Sequence, residues 1–246
     1  MGQASIEHAY EILVGGDGSS PLVLTCEHAS NRVPAPHAWP DEDAWLADTH
    51  WAHDIGAEAI TRALVEQLSA VAVLARFTRL LVDPNRELES TTLFRERADG
   101  EPVRLNVLAD EDERQARIAS LYRPFHGAID QVLTGRPPGL MLSIHTFTPH
   151  YEGGDLRPME MGVLFDHDRD EAFRLADAFA SQGLVTALNE PYSGLNGLMY
   201  SVQSHAARHG WKAIELEIRQ DLSSDPDRTA HLATAILEGL LGAQLL

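Results

Sequence analysis

Two short apolar runs of this chain each deliver a histidine where they stop: Leu22-Val23-Leu24-Thr25-Cys26-Glu27-His28 and Leu140-Met141-Leu142-Ser143-Ile144-His145. Neutral imidazole is the commonest protein metal ligand. Two imidazoles fixed at the ends of rigid strands therefore suit a divalent ion. A catalytic zinc ordinarily takes three protein ligands and keeps one position open, so a third donor is required. Asp54, in His50-Trp51-Ala52-His53-Asp54-Ile55-Gly56-Ala57, is one candidate. Glu27 competes with it, although neighbouring strand residues point to opposite faces. His50 and His53, one helical turn apart, form a further candidate pair.

Other residue types point to proton transfer and anion binding. Glu215 and Glu217 share one face of the alternating stretch 213–219, with Arg219 alongside. Charges on an inner strand need partners or a role, and Glu217, nearer the strand's carboxyl end, is the better general base. Arg79 and the segment Asp83-Pro84-Asn85-Arg86 form the cationic candidate. An arginine beside an asparagine at a strand end can grip a substrate carboxylate or a developing oxyanion. Tyr192 and Ser193 lie in a loop bounded by glycine and proline, positioned to close over a substrate, and His205 can orient a neighbour. Cys26 is the only cysteine. It excludes an intrachain disulfide, fits a reducing compartment, and is either a thiol nucleophile or an inert buried side chain.

Positioning these groups requires strands and helices in alternation, which the sequence supplies. Strands are expected at 22–26, 71–77, 79–82, 140–145, 161–166, 184–188 and 213–219. Asp48 or Thr49 can cap a helix to residue 68, with Ile55, Ile60, Leu64 and Leu68 on its buried face. Asp110 and Glu113 resemble a capping box opening a helix over 110–133, kinked by Pro124. Helices follow at 170–181 and 201–208, closed by Gly183 and Gly210, and Asp225-Pro226 opens a C-terminal one. Residues 86–108 carry mixed charge and little periodicity, the pattern of a long functional loop or a partly ordered excursion. The whole reads as one α/β domain over residues 1–246 with a mostly parallel sheet, whose ligands bind at the strands' carboxyl ends.

Composition narrows the function further. The 246 residues carry a formal charge of −18, and Lys212 is the only lysine among 19 basic residues. Such an acidic surface repels phosphate backbones and argues against nucleic-acid binding. No apolar run is long enough to span a bilayer, and the stretch Met1-Gly2-Gln3-Ala4-Ser5 does not open a signal peptide, so the cytoplasm is the expected setting. An acidic protein that binds an anionic molecule needs a local cationic pocket, which gives its scarce arginines particular work.

Taken together, the blocks Cys26-Glu27-His28-Ala29-Ser30-Asn31, His53-Asp54-Ile55-Gly56-Ala57, Arg79-Leu80-Leu81-Val82-Asp83-Pro84-Asn85-Arg86 and Glu217-Ile218-Arg219-Gln220-Asp221-Leu222 resemble the N-formylglutamate amidohydrolase family. The resemblance implies a three-layer α/β/α fold with a mostly parallel mixed sheet, zinc-carboxypeptidase-like (phosphorylase/hydrolase-like). It implies metal-dependent hydrolysis of the acyl-amide bond of a small N-acyl amino acid, with Zn2+ or another divalent metal as cofactor. It further implies metal positions at His28, Asp54 and His145, a catalytic glutamate at Glu217 and a substrate carboxylate near Arg86. The chain departs from the wider group's His-x-x-Glu ligand pair, because Asn31 stands three residues after His28. Glu217, Arg86 and Arg79 are thus the expected catalytic residues, and Asn85, Arg86, Tyr192, Ser193 and Arg219 the substrate contacts. A non-catalytic small-molecule or anion-binding protein on the same scaffold, or a thiol hydrolase acting through Cys26, are the alternatives.

Overall fold

The computed structural model describes residues 9–151, 153–223 and 225–246; the stretch 1–8, read above as no signal peptide, lies outside them. A seven-stranded sheet runs in the order β1-β3-β2-β6-β9-β7-β8. Its strands are β1 (Tyr10–Val14), β2 (Leu22–Cys26), β3 (Val71–Ala75), β6 (Leu140–Phe147), β7 (Met161–Leu164), β8 (Thr186–Leu188) and β9 (Lys212–Arg219). The strands β3, β2, β6 and β9 are mutually parallel, while β1 and β7 pair antiparallel to their inner neighbours. Helices α1 (Ala57–Leu68), α5 (Arg169–Ser181) and α7 (Pro226–Gly242) cover one face; α4 (Arg123–Leu133) and α6 (Tyr200–His209) cover the other. This is the three-layer α/β/α architecture expected.

Burial on both faces explains why the central strands are apolar throughout, yet their two faces differ. Leu22, Leu24 and Cys26 of β2, Leu140, Leu142 and Ile144 of β6, and Ile214, Leu216 and Ile218 of β9 pack against α1, α5 and α7. The alternate residues start apolar at Val23, Met141 and Ala213 and then turn polar. Thr25 pairs with Ser143, and Ser143 with Glu215; one step further, His145 pairs with Glu217. The period of two thus sends Ser143 and His145 of β6 and Glu215 and Glu217 of β9 to one side.

Several local expectations change. The helix read from residue 48 or 49 begins only at Ala57. Upstream, Asp54 donates its N–H to His28 O at 3.0 Å, and Ala52 O accepts from Arg79 N–H and the Thr78 hydroxyl. These long-range bonds hold 52–54 out of helix, and Ile55 is exposed rather than packed. Gly56 makes the turn at φ 91°, where an added Cβ would lie 2.2 Å from Ser223 Oγ. Residues 79–82 form no strand: they are a turn whose Leu80, Leu81 and Val82 are buried all the same. Of the expected capping box the N-cap half is present, with Glu113 N–H donating to Asp110 Oδ1 at 2.9 Å, while the Glu113 carboxylate accepts from Arg117. Its helix is divided into α3 (Glu111–Arg117) and α4 by a π-helical turn over Ile118–Tyr122, with Pro124 in the first turn of α4.

The segment 86–108 is built rather than loose. It contains a ribbon of β4 (Arg97–Ala98) and β5 (Glu101–Pro102), and the short helix α2 (Arg104–Val107). Asp43 accepts the first N–H groups of α2, from Arg104 and Leu105. The fully buried Asn106 donates to Leu80 O and Arg95 O. Among the described residues no helix is long and apolar enough to cross a membrane.

Candidate active site

The carboxyl ends of β2, β6 and β9 open into a pocket lined by His28, Asp54, His145, Glu215 and Glu217, with Arg79, Arg86 and Arg95 among its other residues. His28 follows β2, Asp54 sits in the turn before α1 and His145 near the end of β6. One ligand atom from each lies within 4.8 Å of the others, and all three residues are buried. His145 Nδ1 is 2.7 Å from Asp54 Oδ2, and His28 Nδ1 is 3.4 Å from the same oxygen.

The far nitrogen of each imidazole is fixed by a carboxylate. His28 Nε2 meets Asp83 Oδ1 at 2.7 Å, while His145 Nε2 meets Glu27 Oε2 at 3.2 Å. Carboxylates that hold a ligand's second N–H set its tautomer and leave the other nitrogen free to coordinate. Asp83 also accepts Arg79 Nη2 at 2.7 Å, and Glu27 accepts the Ser143 hydroxyl at 2.6 Å. Glu27 therefore stands behind His145. Burial opposes its ionisation, but His145 and Ser143 outweigh that and pull it down to about 2.

The charges are lopsided. Glu27, Asp54, Asp83, Glu215 and Glu217 are all buried here, facing one arginine at close range and two imidazoles. Burial disfavours a charged His145, yet Glu215, Asp54 and Glu27 overcome it and raise its pKa well above the usual histidine value. The cluster thus demands a cation, either a proton or a metal ion. Two orphaned atoms fit the second: His28 Nδ1 and Glu217 Oε2 are buried without a hydrogen-bond partner. Two nitrogens and a carboxylate oxygen are a donor set that zinc accepts.

Glu217 is held well above the ordinary carboxylate range, chiefly by burial, with Asp54 and Glu215 adding to it against His145. Burial also pushes Glu215 up to about 7, while Asn85 donates to its Oε2 at 3.2 Å. Glu215 holds its proton more tightly folded than unfolded, where 4.5 is ordinary. Its contribution to stability is complete below that value and lost as pH rises to about 7. The metal-free protein should therefore show a falling denaturant midpoint across this window, flattened in Glu215→Gln. An unchanged pH slope in the variant would remove Glu215 as its source.

The other expected residues divide. Tyr192 and Asn85 line the pocket, but the Asn85 side chain is engaged by Leu198 O, Glu215 and Ser201 N–H. Arg86 lines it with Nη1 on Asn85 O. Ser193 precedes a short 3-10 turn outside the lining, and Arg219 bonds Asp221 and the carbonyls of Arg157 and Met159 instead. His50 lines the pocket and His53 does not; His205 bonds Asp130 and His126 behind the site. Cys26 lies on the opposite sheet face, in the apolar layer under α1, and burial raises its thiol pKa far above the range of a working nucleophile. Sequence reading missed Asp83 as the partner of His28, and Trp51, Arg95 and Tyr151 as lining. Only the scarcity of cations in so acidic a chain hinted at Arg95.

An open α/β sheet with a His/Asp/His cluster and an unpartnered glutamate at its strands' carboxyl ends defines a ligand pocket of hydrolytic type. More particularly, the chain belongs to the N-formylglutamate amidohydrolase family, whose model matches residues 20–223. It is 27% identical over 234 residues to an N-formylglutamate deformylase of Pseudomonas aeruginosa, covering 85% of this chain and 84% of that one. The crystal structure of a gene product from Agrobacterium tumefaciens superposes with TM-score 0.89 at 30% identity, covering 96% and 95% of the two chains. That of the N-formylglutamate amidohydrolase from Ralstonia eutropha gives TM-score 0.71 at 19% identity, over 96% and 97%, a likeness of fold.

Proposed function

We propose that this chain is a metal-dependent amidohydrolase that cleaves the acyl-amide bond of a small N-acyl amino acid, N-formylglutamate or a close relative. The observation that carries this reading is the convergence of His28, Asp54 and His145 beside a buried, unpartnered Glu217 oxygen. The name of the Pseudomonas relative supports the formyl group. His28, Asp54 and His145 would hold the ion, zinc by the donor set. When bound, it supplies Lewis acidity to the substrate carbonyl and makes a nearby water more acidic.

The chain's own residues do the rest. Glu217 accepts the attacking water's proton and passes it to the leaving nitrogen; burial raises its pKa, and a cation held beside it would favour the ionised form that this task needs. Arg79, aimed by Asp83 and 3.5 Å from Asp54 Oδ1, stabilises the oxyanion that develops on the former carbonyl. Arg86 receives a substrate carboxylate, with Tyr192 closing one wall. Asp83 and Glu27 keep the two imidazoles oriented.

Chelation tests the reading. Protein dialysed against a strong chelator should lose hydrolysis of N-formyl-L-glutamate, followed by amine release, and regain it with one equivalent of zinc. Full activity in protein shown to be metal-free would overturn it.

A further inference from the structure

Three arginines line the pocket, and they are not equivalent. Arg79 is tied to Asp83 and lies near Asp54. Arg86 gives Nη1 to Asn85 O and Nε to the Thr92 hydroxyl, with no carboxylate partner among the described residues. The guanidinium of Arg95 has neither carboxylate nor hydrogen-bond partner among them; its carbon rests 5.1 Å from the centroid of the Trp51 ring.

This cation is nevertheless well placed. Its carbonyl accepts from Asn106 at 2.8 Å, and Asn106 is itself fully buried and bonded to Leu80 O and Arg117. A fixed backbone and an aromatic platform restrict the side chain before any ligand arrives, which lowers the entropic cost of binding. Trp51 covers one guanidinium face by cation–π contact and leaves the in-plane N–H fork available. Burial, then Arg79 and, more weakly, Arg86 disfavour the charge on Arg95, while Asp83 supports it. In a chain of net charge −18, two guanidiniums without carboxylate partners at one pocket form a local field opposite to the molecule's own.

We propose that Arg95, held against Trp51, is a specificity-determining residue that reads a second carboxylate on the substrate, Arg86 reading the first. This rests on the amidohydrolase reading for its substrate, but not for its test. A carboxylate that reaches Arg95 meets a planar fork with no other hydrogen-bond partner among the described residues. A neutral side chain of the same shape leaves that fork unpaired.

The test compares acids with their isosteric amides. Two pairs suffice: N-formyl-L-glutamate against N-formyl-L-glutamine, and N-succinyl-L-alanine against N-succinamoyl-L-alanine. The zinc-replete wild type should prefer the acid in one pair by about tenfold or more in kcat/KM. Which pair does so places the second carboxylate on the amino-acid or the acyl part. Arg95→Gln should erase the preference through KM with kcat little changed, and Arg95→Lys should keep part of it. Calorimetric binding of L-glutamate against L-glutamine, and of succinate against succinamate, reads the same discrimination without turnover. If no N-acyl amino acid is hydrolysed, the functional reading falls while the binding pairs still decide Arg95. A wild type indifferent to the acid in every pair, or a preference that survives Arg95→Gln, overturns the proposal.

Discussion

Glu217→Gln is expected to reduce kcat by about a thousandfold while the protein keeps its metal and its fold. The substitution preserves the shape of the side chain and removes only its ability to carry a proton. Glu217 lies in register with His145 on the neighbouring strand, and its Oε2 is buried without a partner, so no structural bond depends on its charge. Burial and the neighbouring Asp54 and Glu215 already favour the neutral form, which makes the neutral amide a mild change for the fold. Steady-state turnover, metal content and a thermal melt together check the expectation. Loss of metal in step with activity would make Glu217 a ligand; retained turnover would remove it from the chemistry.

His28→Ala is expected to act by another route, abolishing metal binding and with it at least about a thousandfold of activity. The imidazole links two carboxylates, with Nδ1 towards Asp54 and Nε2 on Asp83. Its removal deletes one donor and leaves Asp83 with Arg79 as its nearest countercharge. Zinc added to the wild type should raise the melting temperature by mass action, and this shift should vanish in the variant. An unaltered zinc-induced shift in His28→Ala would show that the ion sits elsewhere.

Much of this site was legible in the sequence because strands write their geometry in a period of two. The apolar runs ending at His28 and His145, and the alternation through Glu215 and Glu217, name residues that the sheet does bring together. Asp54 was legible as a donor but not in its setting: the helical pattern of its neighbours continues upstream, whereas the bonds from Asp54 N–H to His28 O and from Arg79 N–H to Ala52 O keep 52–54 out of the helix. Arg79 was found inside an apolar run that resembles a strand and is a buried turn. Asp83 looked like punctuation in an Asp-Pro-Asn turn, since nothing local reveals that His28, 55 positions away, is its partner. The same holds for Arg95 and Trp51, joined only by the folding of a segment without periodicity.

The alternation of the central strands also separates what a substitution can damage. Leu24, Leu142 and Leu216 belong wholly to the layer beneath α1, α5 and α7, whereas Glu27, His145 and Glu217 belong to the pocket side. Changes at the first set tax folding and leave the reacting groups alone; changes at the second reach the reacting groups and, because these side chains are buried, folding as well. The two faces of one sheet are therefore unequal engineering handles: robustness can be adjusted from below without disturbing selectivity, whereas selectivity rebuilt from above draws on robustness too.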